Sequence, residues 1–374
     1  MNIGIDARKI RDFGIGAYIK NLIRHIPDYD RTNRYVIFHY PEDRAFIPLT
    51  GPNLTLIPDN SPKYSLHELI TLPVKMHTQK LDLFHAPHYT LPPIRPCRGV
   101  VTIHDVIHLR FPEYLPQVAF YYAKLMMWAA ARSAKKIITV SEYSKQDIVR
   151  YLGVPEEKIV VIYNGINQDV THGQDAEAQK PILKERLGIS PPYILYLGNF
   201  LPHKNINMLI KAYGLLKQQH AIPHRLVLAG KNDKMRSQLQ ELISQERLEQ
   251  DVILPGFVEP EFISPLYAQA DLFVTPSLYE GFGLQVLEAM AHHTPVAISE
   301  VASLPEIAGD AAIRFDPQSA ENMADAIYHG LSDQQLRRKL LERGQARLSH
   351  FSWQTMAQRT IEVYQTILSF PGAP

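Results

Sequence analysis

Short apolar runs alternate with helical patterns along almost the whole 374-residue chain, and this alternation constrains the fold more than any other feature. The runs carry few polar side chains, which is typical of parallel strands covered by helices on both faces. The pattern therefore predicts an α/β protein with parallel sheets. The predicted strands are Asn2–Ile5, Tyr35–His39, Leu54–Ile57, Leu83–His85, Gly99–Ile103, Lys136–Val140, Ile159–Ile162, Tyr193–Leu197, Arg225–Ala229, Val252–Leu254, Leu272–Thr275, Pro295–Ile298 and Ala312–Phe315. Helices predicted between them include Ala17–His25, Ile206–Lys217, Met235–Glu246 and Leu284–Ala291.

The strands fall into two series separated by the polar, aperiodic segment Asn167–Pro181, which is the best candidate for a linker. We expect two doubly wound domains, residues 1–170 and residues 181–350, with a cleft between them. Functional residues should lie just after the strands, where open α/β sheets bind ligands. Apolar residues at spacings of three and four predict a last helix over residues 353–370. That helix has to dock on one of the domains and is a candidate to pack back on the first.

Composition narrows the class of protein. Lys and Arg number 39 and Asp and Glu number 38, so no general attraction to nucleic acid or to an anionic membrane is expected. The single cysteine, Cys97, permits no intrachain disulfide and no cysteine-rich zinc site, which favours a reducing cytoplasm. Apolar stretches are far shorter than the roughly 20 residues that span a bilayer, and the charged N-terminus is unlike a signal peptide.

The segment Asp271–His292 carries the strongest chemical signal. A predicted strand runs into a turn that contains Gly281 and Gly283, and a helix begins near Leu284. Glycine permits positive φ and a close approach of the backbone to a ligand. Because the first N–H groups of a helix attract anions, the segment predicts an anion site.

Two carboxylates, Glu280 and Glu288, flank this predicted anion site. An ionised carboxylate only accepts hydrogen bonds, so the pair suits the hydroxyl groups of a sugar and of a ribose. The alternative is an ordinary strand–turn–helix connection with two solvated glutamates, because glycines are common at such turns.

Glu280-x7-Glu288, with Gly-Phe-Gly-Leu inside it, resembles the Glu-x7-Glu motif of retaining GT-B glycosyltransferases of family 4. The resemblance implies two Rossmann-like doubly wound domains with an interdomain cleft. It also implies that the N-terminal domain binds the acceptor and the C-terminal domain binds a nucleotide sugar. Further segments that resemble the family, in the expected order, are Gly4–Arg8, Gly14–Gly16, Thr102–Asp105, Val140–Ser144, Tyr163–Ile166, Tyr196–Asn205, Leu228–Gly230, Pro255–Val258 and Leu304–Asp310.

The same resemblance implies roles for individual residues. Lys204 and the helix N-terminus would stabilise the diphosphate leaving group, Glu280 would hold the hydroxyls of the donor sugar, and Glu288 would hold the ribose. His104, which follows a predicted strand, would orient the donor sugar or the acceptor. The implied catalytic residues are His104 and Glu280, and the implied donor-binding residues are Gly14, Gly16, Gly198, Asn199, Lys204, Val258, Gly281, Phe282, Gly283, Leu284 and Glu288.

One departure from the family pattern concerns the diphosphate. Many members carry an arginine where this chain has Asn199, and an amide cannot neutralise a diphosphate as a guanidinium can. Lys204 would then supply most of the positive charge from this loop, with His203 and Lys231 as further candidates.

Gly14-x-Gly16 is expected to form a loop before the first helix, where it either approaches the donor diphosphate or is simply flexible. The third glycine of a dinucleotide fingerprint is absent, because position 19 is Ile19, which argues against a nicotinamide-linked dehydrogenase. His104 and His108 have a metal-like spacing, but that spacing is significant only on a helix, so no metal is expected.

The favoured function is transfer of a hexose from a nucleotide-diphosphate sugar to a glycan or a lipid-linked glycan, with retention at the anomeric carbon and without a cofactor. Thr102–Asp105 together with Pro112–Tyr114 resembles bacterial mannosyl- and rhamnosyltransferases of polysaccharide assembly. GDP-mannose is therefore the first donor candidate and a UDP-sugar the second. The alternatives are a sugar-nucleotide epimerase and a non-catalytic GT-B scaffold that binds a nucleotide or a glycan.

The segment Gln117–Lys136 is rich in aromatic residues and methionine and ends in two lysines. Its few charges leave little polar face, which favours a core helix packed on the N-terminal sheet. The alternative is a helix that lies on a membrane surface near a lipid-linked acceptor, which would make a cytoplasmic enzyme peripheral at the inner face of the membrane.

Overall fold

The computed structural model describes residues 1–49, 51–167, 181, 183–230 and 233–369. The chain divides into two compact units. The first comprises Met1–Gly165 together with the chain from Phe351 onward, and the second comprises Ile166–His350. The predicted linker Asn167–Pro181 lies almost wholly outside the described residues, as does Lys231.

Among the described residues, the first unit is built on a seven-stranded sheet whose strands all pair in parallel. Its strands are β1 (Asn2–Asp6), β2 (Arg34–His39), β3 (Leu54–Pro58), β4 (Leu83–Ala86), β5 (Arg98–Thr102), β6 (Lys136–Thr139) and β7 (Ile159–Val161). The helices between them are α1 (Phe13–Tyr29), α2 (Glu68–Thr78), α3 (Ile107–Arg110), α4 (Gln117–Ser133) and α5 (Glu142–Leu152). Short 3-10 turns cover Pro41–Phe46, Pro112–Tyr114 and Glu156–Lys158.

In the part of the second unit that the structure describes, six parallel strands form a second sheet. They are β8 (Tyr193–Leu197), β9 (Arg225–Ala229), β10 (Val252–Gly256), β11 (Leu272–Thr275), β12 (Val296–Ser299) and β13 (Ile313–Phe315). The helices are α6 (Ile206–Gln219), α7 (Asp233–Gln245), α8 (Pro260–Ala268), α9 (Leu284–Ala291), α10 (Leu304–Ala308), α11 (Ala320–Ser332) and α12 (Gln334–Leu348), and a 3-10 turn covers Pro202–Lys204.

The predicted doubly wound α/β class is confirmed. Every predicted strand is present with its ends within two residues of the predicted ones, because each strand is an apolar run buried between helices. The first helix is longer than predicted, since α1 begins at Phe13 and ends at Tyr29.

Strand order brings the first strand of each unit beside its fourth. The order is β3-β2-β1-β4-β5-β6-β7 in the first sheet and β10-β9-β8-β11-β12-β13 in the second. Successive strands are therefore added on one side of β1 up to β3 and on its other side from β4 onward, so the strand order reverses between β1 and β4. The same reversal occurs between β8 and β11. Loops that leave such a switch point diverge to opposite faces, and the crevice between them is where doubly wound sheets bind ligands.

The last helix, α13 (Trp353–Ser369), belongs to the first unit although the whole second unit precedes it in the chain. It packs beside α1. The hydroxyl of its buried Tyr364 lies 2.6 Å from Nδ1 of His85 on β4, and Arg98 donates a hydrogen bond to the carbonyl oxygen of Ile367. The end of the chain thus completes the core of the unit that the beginning of the chain starts.

Helix α4 corrects the prediction of a core helix over Gln117–Lys136. Only one side of it is buried, through Ala123, Met126, Met127, Ala130 and Ala131. The opposite side exposes Val118, Tyr121, Leu125 and Trp128. The prediction was wrong in part because an apolar composition does not distinguish a buried side from an exposed apolar one. In the described part of the chain, no helix is both long and apolar enough to cross a membrane.

Candidate functional site

The loops after β8 and β11 bring Lys204 and Glu280 together. Lys204 Nζ lies 2.6 Å from Glu280 Oε1, and each side chain is 13% exposed. Ser277 Oγ donates a hydrogen bond of 2.7 Å to the same carboxylate oxygen. Because β8 and β11 are neighbours at the switch point, the pair lies where a ligand would meet this sheet. Glu280 is therefore mostly buried and paired, not a solvated surface glutamate.

The environment of Glu280 favours its charged form. Burial raises the pKa of a carboxyl group, but the Lys204 ammonium and the hydrogen bonds from Lys204 and Ser277 outweigh burial and lower the pKa of Glu280. The carboxylate is thus ionised at neutral pH and can accept further hydrogen bonds. The ammonium of Lys204 has N–H donors beyond the one directed at Glu280.

Hydrogen bonds to the backbone hold both loops in place. Asn205, in the left-handed region at φ 58°, donates from Nδ2 to the carbonyl oxygen of Pro276 at 3.1 Å. Ser303 Oγ donates to the carbonyl oxygens of Glu280 (2.8 Å) and Phe282 (3.1 Å). The ion pair therefore rests on a framework that restricts its geometry, as a preorganised site requires.

Glycines at the carboxyl edge of the second sheet let its loops pass close to each other. A Cβ at Gly230, after β9, would overlap the carbonyl oxygen of Gly198, after β8. Gly256, at the end of β10, has a φ of 82°, which glycine adopts without strain. Asn199 follows Gly198, and its carbonyl oxygen accepts a hydrogen bond of 3.0 Å from the Tyr196 hydroxyl. Much of this edge is backbone, so a ligand can approach peptide groups directly.

Helix α9 begins directly after Gly283, whose φ of 98° lies in the left-handed region that favours glycine. A Cβ there would lie 2.8 Å from Leu304 Cδ2, so a larger residue is also disfavoured by packing. Gly281 and Phe282 are buried in the turn, and Leu284 is half-buried at the first helical position. The first N–H groups of a helix have no acceptor within it, so this end of α9 suits an anion.

Glu288 lies one turn into α9 and accepts a hydrogen bond of 2.9 Å from the Tyr267 hydroxyl. Burial raises the pKa of Glu288, and the hydrogen bond from Tyr267 opposes that rise. Tyr267 is fully buried on α8, and sequence reasoning missed it because a tyrosine on an apolar helix normally indicates core packing. Val258, another implied donor-binding residue, is buried after β10.

His104 lies in the first unit, two residues beyond β5. Its Nε2–H donates to the carbonyl oxygen of Pro87 at 3.0 Å, which leaves Nδ1 as a hydrogen-bond acceptor. Burial lowers the pKa of His104 to about 4, although the hydrogen bond to Pro87 opposes the shift. The imidazole is therefore neutral at neutral pH and suits a hydroxyl donor.

A buried hydrogen-bond network beside His104 was not predicted. His85 Nε2 lies 2.8 Å from the Thr102 hydroxyl, and that hydroxyl lies 3.2 Å from the Tyr18 hydroxyl. His85 Nδ1 contacts Tyr364 on α13, as described above. The Tyr18 ring packs edge-on against His104, with ring centroids 5.3 Å apart. The network therefore connects the C-terminal helix to the ring of His104.

The predicted glycine loop at Gly14 and Gly16 is wrong. Both residues lie in the first turn of α1, which begins at Phe13. Gly14 is exposed and Gly16 is buried. A Cβ at Gly16 would overlap the carbonyl oxygen of Ile10, so glycine here lets the helix pack on the turn before it. Glycine spacing alone does not distinguish a loop from such a close contact.

A buried ionic cluster occupies the end of β1. Arg8 Nη2 lies 2.7 Å from Asp6 Oδ2 and 3.0 Å from Glu68 Oε2, and Arg8 Nη1 lies 3.7 Å from Asp59 Oδ1. Burial raises the pKa of Glu68 to about 7, against the attraction of Arg8 and with support from Asp6. Three carboxyl groups thus surround the Arg8 guanidinium, and Lys75 also pairs with Asp59 at 2.9 Å.

The remaining candidates are accounted for as follows. His203 is buried, and its carbonyl oxygen accepts a hydrogen bond of 2.7 Å from the N–H of Leu278. His108 lies on the short helix α3. Across the ranges that the structure describes, no group of three or more His, Cys, Asp or Glu residues is arranged to hold a metal ion.

Comparisons with known proteins decide the family. A model of Glycosyl transferases group 1 matches residues 179–347, and a model of Glycosyltransferase Family 4 matches residues 14–170. The chain is 35% identical over 285 residues to O-antigen chain mannosyltransferase B of Escherichia coli, covering 76% of this chain and 74% of that protein. The chain belongs to the glycosyl transferases group 1.

This glycosyltransferase is also 28% identical over 265 residues to the O-antigen chain mannosyltransferase RfbU of Salmonella typhimurium, covering 71% of this chain and 68% of that one. Its fold is similar to that of sucrose-phosphate synthase from Thermosynechococcus elongatus, with a TM-score of 0.80, 21% identity and 99% coverage of both chains. The predicted GT-B architecture and the glycosyltransferase class are confirmed.

Proposed function

We propose that this glycosyltransferase moves a hexose, with mannose as the first candidate, from a nucleotide-diphosphate sugar to a glycan or lipid-linked glycan, and that the anomeric configuration is retained. The observation that carries the proposal is the Lys204–Glu280 ion pair at the switch point of the second sheet, just before the N-terminus of α9. Two relatives that are mannosyltransferases of O-antigen chains support mannose.

The donor diphosphate is assigned to the second unit. Breaking the bond between the anomeric carbon and the diphosphate leaves negative charge on the departing group. Lys204 and the first N–H groups of α9 would stabilise that charge, since preorganised donors are most effective where water is excluded. Gly198 and Gly230 keep side chains away from the same edge. Asn199 contributes no charge, so Lys204 would supply the positive charge that an arginine at position 199 would otherwise share.

The two carboxylates are assigned to hydroxyl groups. Glu280 is ionised and held by Lys204, so its other lone pairs would accept hydrogen bonds from the donor sugar. Glu288, positioned by Tyr267, would accept from the ribose. The buried turn residues Gly281, Phe282 and Gly283 would line the donor with Leu284 and Val258.

His104 is assigned to the donor sugar or the acceptor, since its neutral ring offers Nδ1 to a hydroxyl. The first unit would bind the acceptor and the second the nucleotide sugar. During transfer, the acceptor oxygen forms a bond to the anomeric carbon while the bond from that carbon to the diphosphate oxygen breaks. The resemblance to retaining enzymes implies that the acceptor proton passes to the departing phosphate oxygen, so a nucleoside diphosphate leaves. With a lipid-linked acceptor, the enzyme would work in the cytoplasm at the inner face of the membrane.

A thermal-shift panel of GDP, UDP, ADP and dTDP would identify the donor base. A ligand that binds only the folded chain raises its melting temperature according to its affinity, and we expect GDP to give the largest rise. GDP-mannose with a mannose-containing oligosaccharide should then yield GDP and a product of unchanged anomeric configuration, read by NMR. If no nucleoside diphosphate raised the melting temperature, the chain would be a scaffold that binds a glycan without a nucleotide donor. If the sugar nucleotide changed configuration without an acceptor, it would be an epimerase.

A further inference from the structure

One side of the first unit exposes large apolar side chains at helical spacing. Those on α4 are between 46% and 84% exposed, and they are Val118, Tyr121, Leu125 and Trp128. Those on α2 and just before it are between 58% and 75% exposed, and they are Leu66, Ile70 and Val74. A concentration of exposed apolar side chains marks an interaction surface.

Helices α2 and α4 belong to the same layer. Leu72 of α2 and Ala123 of α4 pack into one hydrophobic cluster with Phe84 of the sheet. Leu69 of α2 and Tyr122 of α4 are partly buried against the same cluster. The exposed sides of α2 and α4 therefore face solvent on the same side of the sheet. These exposed sides are named the α2–α4 face.

The exposed charged residues of α4 itself are cations, whereas Glu113, Glu156 and Glu157 are exposed in the adjoining turns. Between Tyr114 and Ser141 the chain has no Asp or Glu. Between Leu66 and Lys80 it has only Glu68, which is buried against Arg8. The charged residues within α4 are the two cations Lys124 and Arg132, both exposed. The face is thus apolar and positively charged.

A cluster of cations continues from the C-terminal end of α4. Lys158 Nζ donates to the carbonyl oxygen of Arg132 at 2.7 Å, and Arg95 donates to the hydroxyl of Ser133 at 3.1 Å. Burial lowers the pKa of Lys158, and repulsion from Arg132, Arg95 and Lys135 lowers it further. Cations that repel one another in this way would be stabilised by an anionic surface.

We infer that the α2–α4 face binds the anionic surface of a lipid bilayer, with Leu125 and Trp128 in the headgroup region and the cations of α4 at the lipid phosphates. Helices in the membrane interface carry Trp and Leu on one side and Lys and Arg beside them, and aromatic rings prefer headgroup depth. A second copy docked through the same face would bring like charges together, so self-association fits poorly. The inference rests on the proposed function only in that a lipid-linked acceptor explains the contact.

Vesicle binding by the full chain tests this inference, without donor or acceptor. The chain has two tryptophans, and Trp353 is 5% exposed, so a change in emission on adding vesicles reports Trp128. We expect a blue shift, protection from acrylamide and co-sedimentation with vesicles of equal parts phosphatidylglycerol and phosphatidylcholine, but much weaker binding to phosphatidylcholine alone. The double variant Val118→Gln/Leu125→Gln should bind about tenfold more weakly or worse, because two apolar side chains no longer enter the interface.

Matched variants separate the contributions. Lys124→Gln/Lys135→Gln should weaken binding several-fold at low salt and less at high salt. Tyr29→Gln, an exposed position on α1 beside α13, should bind like the wild type. Melting temperatures show that each variant is folded. The inference would be overturned if the wild-type chain did not bind anionic vesicles, or if the Val118/Leu125 variant bound them equally well. It would also be overturned if the wild-type chain formed a dimer that the Val118/Leu125 variant did not form. If the proposed glycosyl transfer were not observed, vesicle binding would still be expected. Failure of the proposed function and failure of the membrane inference can therefore be distinguished.

Discussion

The two units share one strand order around their switch points but place different chemistry beyond their strands. In the second unit, Glu280 is ionised because Lys204 holds it. In the first unit, His104 is neutral because burial lowers its pKa to about 4, against the opposing effect of the hydrogen bond to Pro87. Each unit offers an equivalent position beyond the carboxyl ends of its strands. The neighbouring side chains determine whether the functional group at that position is charged.

Disrupting the charged pair of the second unit should have the largest effect. Glu280→Gln or Lys204→Met alone leaves a buried unpaired charge, which costs about 3–5 kcal/mol of folding stability. Each should also lower the transfer rate about a hundredfold or more. The double variant should regain most of the stability and none of the activity. Urea unfolding and initial rates measure the two quantities.

A surface pair provides the control for that cycle. Glu300 lies 3.5 Å from Arg314, with both side chains well exposed, so Glu300→Gln should change stability and rate very little. If the double variant at 204 and 280 were as active as the wild type, the pair would serve the fold alone.

Lowering the pH should reduce the folding stability of the first unit before that of the second. His104 has a pKa of about 4 in the folded chain and about 6.5 unfolded, so the unfolded chain binds more protons between these values and stability falls as pH falls. His85, whose pKa burial lowers to about 3, acts in the same direction. Glu68 opposes both, because its folded pKa of about 7 lets the folded unit keep a proton that the unfolded chain releases.

These three groups together predict a loss of about 2 kcal/mol from the first unit between about pH 7 and pH 5. His88 and His108, whose pKa values burial also lowers, add to that loss. Glu280 has a lowered pKa, so its contribution in the second unit is present above its unfolded pKa near 4.5 and is lost only below that. Hydrogen exchange resolved by peptide, corrected for its intrinsic pH dependence, measures both units. Glu68→Gln should steepen the loss. Earlier opening of the second unit would contradict the assignment.

A matched pair of tyrosines should give the smallest effects. Tyr364→Phe removes the partner of His85 Nδ1, and Tyr267→Phe removes the hydroxyl that donates to Glu288, each at a cost of about 1–3 kcal/mol. Both should lower the melting temperature. Only Tyr267→Phe should also weaken nucleoside diphosphate binding, measured by calorimetry. Equal weakening by both variants would mean that Glu288 has no separate role at the ribose.

Local features of the chain were predictable. The strands could be located because each is an apolar run between polar turns, and Gly283 with Glu280 could be singled out because turn, helix start and carboxylate are adjacent in sequence. The contact between Lys204 and Glu280 was not predicted, because it depends on a strand order that places β8 beside β11.

Contacts between distant residues were not predictable from one sequence. His85 and Tyr364 are 279 positions apart, and no spacing relates them. The sequence does not distinguish Tyr267 from other tyrosines on apolar helices, because the contact of its hydroxyl with Glu288 is visible only in the structure. The exposed side of α4 has the same composition as a buried one, so only the packing of its neighbours distinguishes the two.

The position of α13 has a consequence for the order of folding. A ribosome releases Met1–Gly165 first, but until Trp353–Ser369 has been made, α1 lacks the helix that packs beside it and His85 lacks Tyr364. Ile166–His350 emerges complete before that helix. During synthesis, the second unit can therefore finish folding while the first still waits for its last helix, the reverse of the usual N-terminal-first order. A nascent chain that stops short of Trp353 would carry a finished second unit and an unfinished first one.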